Sequence, residues 1–267
     1  ENRAIAESRP LYNRRSKPPK SLHWVKLTNE RFPRLSIARS PGDSAMVLGP
    51  FRTRRSAIDV MHGLWDATRI RRCTSPGNGC DFAQLGQAVC TCDGSISTAA
   101  YAAIVNDLFD GVQRPAALVE VTRARMERLS ALQRFEDAAA VRDRWTSLTA
   151  AIHRRRVWQA FQESGRIEAS DPEGVSLLIT HGRMVTAWPS TDTLPLTLAP
   201  TTRPLPHPPS MAAIDEAMLL WKWLGRTGVR IVSVGGTLAL PAWKLPGLAD
   251  RRQQEPMRDT MTTRSRS

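Results

Sequence analysis

The sequence predicts an α+β fold, and three observations support that prediction. Between positions 21 and 51, short runs rich in β-branched and aromatic residues alternate with turn-forming Pro, Gly, Asn and Asp residues. From position 116 to 164, apolar residues recur three and four positions apart, which is the period of amphipathic helices. After Gly165 the chain mixes strand-like and helical segments, so neither type of element dominates.

Three short strands come first, at 21–28, 34–39 and 46–51, separated by the turn-rich segments ERFP and SPGDS. We expect them to form a small antiparallel meander. A helix then runs from a Thr53 N-cap to about Ala67. Its predicted apolar stripe consists of Ala57, Val60, Met61 and Leu64.

The segment 73–92 has few periodic apolar residues and is predicted to be a loop region. Ser97 or Thr98 can cap a helix that runs to about Val112, and Pro115 marks the boundary after it. From there to about Ser164, two amphipathic helices with a break near 134–135 predict a helical hairpin. A plain helix pair inside a larger bundle is the alternative.

The C-terminal third predicts a small α+β unit. A β-hairpin turning at His181-Gly182 is predicted for the segment VSLLITHGRMVTAW (175–188). Seven prolines in 189–209 indicate a linker. A helix is predicted at 211–224, and the strand-like segment VRIVSV follows it. The last residues are polar, and we expect them to be disordered.

The predicted domains are 1–19, a basic sheet and helix at 20–72, the cysteine segment and a helix at 73–115, the hairpin at 116–165, the small unit at 166–249 and the tail at 250–267.

The formal charge of +13 is concentrated near the start, where ten Lys and Arg residues face three glutamates in the first forty positions. Such a segment neutralises phosphates well, although a solvated arginine-rich surface is the alternative. The sequence has no run of about 18 apolar residues and no signal-peptide pattern at its start. We therefore expect a cytoplasmic protein without a membrane partner.

All four cysteines lie within one stretch of about twenty residues: Cys73, Cys80, Cys90 and Cys92. In a cytosolic protein this clustering favours metal ligation over disulfides. The spacing is not a standard zinc-finger pattern, so unpaired or redox-active thiols remain the alternative.

The segment RFEDAAAVRDRW (134–145) resembles the helical-hairpin module of the bacterial excinuclease proteins UvrB and UvrC. Every position of the family pattern Phe-Glu-x-Ala-Ala-x-x-Arg-Asp is matched, by Phe135, Glu136, Ala138, Ala139, Arg142 and Asp143. We expect Phe135 to plug the turn and Glu136 to pair with Arg142. In the family the hairpin of UvrC docks on UvrB, so the resemblance assigns partner binding to Phe135, Glu136, Ala139 and Arg142.

Upstream segments extend this resemblance to the UvrC family. The matching features are Thr28-Asn29-Glu30, Phe32-Pro33-Arg34 and Gly49-Pro50-Phe51, followed by the cysteines and the start of the next helix in the expected order. Elements in this order over residues 1–160 are hard to obtain by chance.

The first residues resemble the end of the GIY-YIG nuclease domain of this family, in which a metal-binding glutamate precedes a Pro-x-Tyr-Asn turn. Glu1 and Asn13 stand at the matching positions. The resemblance implies that Glu1 binds a divalent Mg or Mn ion, a hard cation that prefers oxygen ligands, and that Asn13 positions the phosphate. Arg14, Arg15, Lys17 and Lys20 would bind DNA. An ordinary exposed Glu1 is the alternative.

The rest of that nuclease site is not found in the sequence. Only two tyrosines occur, Tyr12 and Tyr101, and neither lies in a GIY or YIG strand. We therefore expect a C-terminal fragment that does not cleave DNA alone. Its tail is similar to actinobacterial relatives that fuse an exonuclease to a GIY-YIG nuclease.

In the UvrC family, four cysteines hold an iron–sulfur cluster. Here Ala88 stands where the third ligand would fall, and Cys90 follows two residues later. The resemblance therefore implies an iron–sulfur cluster or zinc at the four cysteines, with Cys90 as the substitute ligand.

The function that follows is that of a DNA-repair endonuclease component of the UvrC excinuclease type, with metal-dependent incision in the intact protein. DNA and the excinuclease protein UvrB would be its partners. The alternative is a non-enzymatic adaptor that uses a metal-bound knot and the hairpin to bind a protein.

Overall fold

The structure is a computed structural model that describes residues 21–74, 80–92, 94–191 and 209–238. Within those ranges the chain forms seven strands and six helices. The strands are β1 (His23–Leu27), β2 (Leu35–Ala38), β3 (Val47–Phe51), β4 (Arg166–Ser170), β5 (Val175–Thr180), β6 (Arg183–Pro189) and β7 (Arg230–Val234). The helices are α1 (Arg54–Ala67), α2 (Asp81–Gln84), α3 (Thr98–Gln113), α4 (Ala116–Ala131), α5 (Phe135–Ser164) and α6 (Met211–Leu224). The predicted α+β class is confirmed.

The first three strands form an antiparallel sheet in the order β2-β1-β3, so the predicted meander is wrong in its strand order. The connection after β2 is fastened to β1 instead. The Ser44 hydroxyl donates to the Leu27 carbonyl oxygen at 2.7 Å, and the Leu27 N–H donates to the Met46 carbonyl oxygen at 3.2 Å. These bonds bring β3 to the free side of β1. Pro50 lacks an N–H, which suits β3 to the edge of a sheet.

Helix α1 begins as predicted, because the Thr53 side chain accepts the backbone N–H of Ser56 at 3.1 Å. Its buried face packs against the sheet and against α5. Gly63 permits the close approach of α1 and α5, since a Cβ there would lie 3.0 Å from the Arg144 carbonyl oxygen and 3.1 Å from Leu148 Cβ. A small residue is therefore required where the two helices cross.

Helices α4 and α5 form the predicted hairpin, with the break at residues 132–134. The apolar face predicted for the second helix is buried, at Ala138, Val141, Trp145, Leu148 and Ile152. Helix α1 contacts both helices, and one hydrophobic core joins the first sheet with α1, α3, α4 and α5. The hairpin therefore belongs to a larger packed unit.

The C-terminal unit is a four-stranded antiparallel sheet in the order β6-β5-β4-β7, with α6 packed beside it. The predicted turn between β5 and β6 is confirmed, since His181 and Gly182 both have positive φ, 48° and 80°. Strand β4 is not among the predicted strands, because its short segment RIEAS has only two apolar residues, Ile167 and Ala169. Both are completely buried.

Helix α5 belongs to both units. At 30 residues it is about 45 Å long. Its middle part packs in the first core, whereas Val157 and Phe161 pack in the core beneath the second sheet. An ion pair between Arg52, next to β3, and Asp215 of α6 joins the same two units.

The domain boundaries proposed from the sequence stay predictions, and those for 1–19 and 250–267 concern residues outside the described ranges. Within those ranges, no helix has both the length and the apolar character needed to span a bilayer.

Candidate functional site

The residues predicted to bind the divalent metal ion, the scissile phosphate and the adjacent DNA backbone lie outside the described residues. They are Glu1, Asn13, Arg14, Arg15, Lys17 and Lys20. The described ranges do include the cysteine cluster, the turn that supports it and the hairpin tip.

The turn between β1 and β2 supports the cysteine segment. Its ends are closed by Thr28, whose N–H donates to the Arg34 carbonyl oxygen at 2.9 Å and whose hydroxyl accepts the Arg34 N–H at 3.0 Å. Inside the turn, the Phe32 carbonyl oxygen accepts the Arg71 side chain at 2.7 Å, and Glu30 forms an ion pair with the same guanidinium. Arg71 is 8% exposed, so its charge needs these partners. The turn motif therefore fixes the position of the chain just before Cys73.

The four cysteines lie in one neighbourhood, and two of their thiols are in contact. Cys73 Sγ and Cys92 Sγ are 3.8 Å apart, and the Cys92 N–H donates to Cys90 Sγ at 3.4 Å. Cys80 and Cys90 are buried. Burial raises the pKa of the Cys73 thiol, the hydrogen bond with Cys92 raises it further, and the Arg71 side chain lowers it. Without a metal, Cys73 is therefore held mainly as a thiol.

The chemistry of this donor set suits a soft metal, because thiolates are the preferred ligands of zinc and of iron–sulfur clusters. Two thiolates on one tetrahedral zinc are roughly 3.8 Å apart when the Zn–S bonds are about 2.3 Å, which is the spacing of Cys73 and Cys92. Within the described ranges, no group of three or more His, Cys, Asp or Glu side chains converges closely enough to hold an ion. Two of the four thiols thus have ligand spacing, and Cys80 and Cys90 would have to move towards them.

The tip of the α4–α5 hairpin is apolar and exposed. Phe135 is 66% exposed and Leu132 is 63% exposed. Gln133, between them, has a φ of 59°, and its N–H closes the end of α4 by donating to the Ser130 carbonyl oxygen at 2.9 Å. The prediction that Phe135 plugs the turn is wrong, because the backbone closes the turn and leaves the ring in solvent.

The predicted pairing of Glu136 with Arg142 is also wrong. The Arg142 guanidinium instead binds the neighbouring Asp143 at 3.0 and 3.1 Å. Ala138 is 6% exposed, as expected of a small residue at a close contact between helices. Ala139, the next residue, is half-buried. The outer face of this first turn of α5 is therefore exposed and charged.

The sequence interpretation missed two features of the site. Leu132 is exposed at the tip together with Phe135. A leucine at the position where a helix ends is the sequence feature that could have identified it. Arg71 supports the cysteine segment from the β1–β2 turn, but its partners lie about forty positions away in the sequence. Nothing local in the sequence identifies such a contact.

Comparison with known proteins gives a consistent result. Residues 22–111 match the family model "UvrC/Cho excinuclease, middle domain". The chain is 32% identical over 266 residues to a "Putative bifunctional exonuclease/endonuclease protein" of Mycobacterium tuberculosis, a match that covers 90% of this chain and 40% of that protein. No solved structure matches the chain.

Proteins described as "UvrABC system protein C" match as well. The one from Natronomonas pharaonis is 35% identical over 52% of this chain and 25% of its own length, and the one from Methanothermobacter thermautotrophicus is 32% identical over 58% and 27%. The chain thus spans well under half the length of these relatives. The matched middle domain corresponds to the first sheet, α1, the cysteine segment and most of α3. The chain is a UvrC-like protein.

Proposed function

We propose that this chain is part of a DNA-repair endonuclease of the UvrC excinuclease type, whose intact form incises DNA in nucleotide excision repair. The observation that supports the proposal is the order of its parts. A segment matching the UvrC/Cho excinuclease middle domain comes first, and a helical hairpin with an exposed apolar tip follows it.

The hairpin tip is the proposed docking site for the excinuclease protein UvrB. Leu132 and Phe135 expose apolar surface at the end of a rigid helix pair, and a buried aromatic anchor is the usual centre of a protein interface. Arg142 and Glu136 would surround that anchor with charge, and Ala139 would let the partner approach closely.

Incision is proposed for the intact protein only. Glu1 would bind a divalent Mg or Mn ion, Asn13 would orient the phosphate, and Arg14, Arg15, Lys17 and Lys20 would hold the DNA backbone. Since the remaining catalytic groups of such a site are not among these residues, we expect the 267-residue chain alone to be inactive. The four cysteines would hold zinc or an iron–sulfur cluster that fixes the loop after α1.

DNA binding tests the proposed substrate class. We expect the purified chain to bind a short duplex at low salt, with affinity that falls steeply as salt rises, because binding releases counterions from the phosphates. The measurement is fluorescence anisotropy of a labelled duplex across a salt series. Absence of binding at low salt would contradict the assignment.

Binding of UvrB tests the proposed partner. Leu132→Ala and Phe135→Ala should each weaken binding by at least about tenfold, as expected for exposed apolar anchors. Leu219→Ala is the matched control, since Leu219 on α6 is 59% exposed and lies in the other unit. Equal effects of all three variants would argue against docking through the tip.

A second candidate function is the non-enzymatic adaptor, which the exposed tip and the cysteine cluster also support. The two functions differ in one measurable property. An adaptor would bind a protein partner through Leu132 and Phe135 without any affinity for DNA, whereas the repair nuclease component binds both.

A further inference from the structure

A buried carboxylate joins three helices of the first core. Asp66 of α1 is 6% exposed, and its Oδ2 accepts from Arg144 Nη1 of α5 at 2.8 Å. Its other oxygen, Oδ1, lies 3.4 Å from Arg125 Nε of α4. The two arginines approach the carboxylate through different oxygens, and their side chains are 27% and 26% exposed. Both arginine side chains are therefore partly exposed to solvent.

A third guanidinium, that of Arg72, binds Trp65, the residue just before Asp66. Arg72 donates to the Trp65 carbonyl oxygen at 2.8 Å and to Gln87 Oε1 at 3.3 Å, and its Cζ lies 5.2 Å from the Trp65 ring centre and 5.4 Å from the Phe82 ring centre. Aromatic rings on Trp65 and Phe82 therefore hold Arg72 in place. Its position links the end of α1 to the segment that carries the cysteines.

The charges in this cluster do not balance. Arg125 and Arg144 both form ion pairs with Asp66, and Arg72 forms no ion pair with any described carboxylate. The pKa of His62, which stacks on the Trp65 ring, is lowered, first by burial and then by Arg144. Three guanidiniums thus have one described carboxylate among their contacts, and an excess of positive charge in a partly buried place is unfavourable unless an anion compensates it.

Unpaired donors accompany the excess charge. The Nε atoms of Arg72 and Arg125 and the indole Nε1 of Trp65 are each buried without a hydrogen-bond partner among the described residues. Arg125 Nε is close to Asp66 only as an ion pair. Buried donors are normally paired, so Arg72 Nε and Trp65 Nε1, which have neither a hydrogen bond nor an ion pair among the described residues, indicate a missing acceptor. A phosphate group supplies several acceptor oxygens together with negative charge.

We propose that Arg72, Arg125 and Arg144 form a phosphate-binding site beside the cysteine segment. Arginines bind phosphate well because each offers several N–H donors in one plane. A backbone phosphate of nucleic acid and a free phosphate share this chemistry. In its nucleic-acid form the inference rests on the proposed function, and it adds a DNA contact where the matched middle domain meets the helical hairpin.

The first experiment uses inorganic phosphate and needs no DNA. Phosphate at constant ionic strength should raise the thermal midpoint of the wild-type chain more than chloride does. Arg125→Gln and Arg144→Gln should each reduce that shift, and both should fold, because the remaining arginine still pairs with Asp66. Arg226→Gln is the control, since Arg226 lies in an exposed ion pair with Glu173 of the second unit.

The second experiment measures duplex DNA binding across a salt series. If the cluster contacts a backbone phosphate, Arg125→Gln and Arg144→Gln weaken binding severalfold and make the slope of log affinity against log salt shallower by about one. Asp66→Asn, which removes the competing carboxylate, strengthens binding. Arg226→Gln leaves both quantities unchanged.

The outcomes separate this inference from the proposed function. Phosphate stabilisation that depends on the arginines, with unaltered DNA binding, would identify a free phosphate as the ligand. DNA binding that is the same in wild type, Arg125→Gln and Arg144→Gln, without arginine-dependent phosphate stabilisation, would overturn the site and leave the repair assignment intact. A wild-type chain that does not bind DNA would overturn the repair assignment, and the phosphate experiment would still decide about the site.

Discussion

The hydroxyl of Tyr101 on α3 donates to the Pro33 carbonyl oxygen at 2.6 Å and accepts the backbone N–H of Arg71 at 3.2 Å. Tyr101 is 1% exposed, and its ring meets the ring of Phe32 edge-on with the centres 5.3 Å apart. One side chain therefore joins α3, the β1–β2 turn and the segment leading to Cys73. The tyrosine has a structural role that holds the matched middle domain together.

Tyr101→Phe keeps the ring but leaves the Pro33 carbonyl oxygen and the Arg71 N–H without their partner. We expect the free energy of unfolding to fall by about 1–3 kcal/mol, because the Arg71 N–H is buried and the Pro33 carbonyl oxygen is partly buried. Urea denaturation measures the change. Thr146→Ala, which removes an exposed hydroxyl bond on α5, should cost less than about 0.5 kcal/mol. A Tyr101→Phe cost no larger than that control would show that water reaches the two groups.

Gly63→Ala tests the close contact of α1 with α5. The added Cβ would lie 3.0 Å from the Arg144 carbonyl oxygen, and a backbone atom inside a packed helix cannot easily move. We expect a loss of about 1–3 kcal/mol in the free energy of unfolding, even though alanine has the higher helix propensity. The measurement is again denaturant unfolding.

Gly225→Ala is the matched control for that substitution. Gly225 has a φ of −84°, and the nearest atoms to an added Cβ are 3.6 and 3.8 Å away. This variant should be neutral within about 0.5 kcal/mol. If both glycine variants lose the same stability, the crossing is looser than the structure indicates.

Local sequence patterns predict the helices well because their signals are local. The Thr53 and Ser97 caps each form the expected bond within three residues, and the apolar stripe on α5 repeats at helical spacing. These features depend on neighbouring positions only.

Features that depend on distant contacts were not predictable in the same way. The order β2-β1-β3 depends on bonds between Ser44 and β1, seventeen positions away. Phe135 matches a family pattern that says nothing about which side of the helix faces solvent. The ion pairs of Asp66 with Arg125 and Arg144 join three helices, and no spacing in the sequence relates those residues.

Cys73→Ser tests the proposed metal site. Anaerobically purified wild-type protein should contain zinc, or iron with acid-labile sulfide, and the variant should lose most of it because Cys73 and Cys92 are the pair with ligand spacing. Elemental analysis measures the content per chain. Thr74→Ala, a change at the next position, should retain the metal. Wild-type protein with neither zinc nor iron would refute the proposal.

The lowered pKa of His153 predicts that the protein loses stability in mild acid. Burial lowers its pKa, and the positive charges of Arg156 and Arg154 lower it further. As the pH falls below the ordinary histidine value of about 6.5, the unfolded chain therefore takes up this proton before the folded chain does. The contribution of His153 to stability is complete above that pH and is lost as the pH falls towards the folded-state pKa.

His153→Gln should therefore flatten the dependence of the unfolding free energy on pH between about 6.5 and 5, the range in which an ordinary histidine becomes protonated. Denaturant unfolding at several pH values measures the slope. Arg156→Gln offers an independent check, because it keeps the histidine but removes one of the charges that oppose its protonation, so the slope should again decrease. Slopes unchanged in both variants would mean that His153 is protonated equally well in the folded and unfolded chain, and the acid sensitivity would then have to come from other groups such as His62.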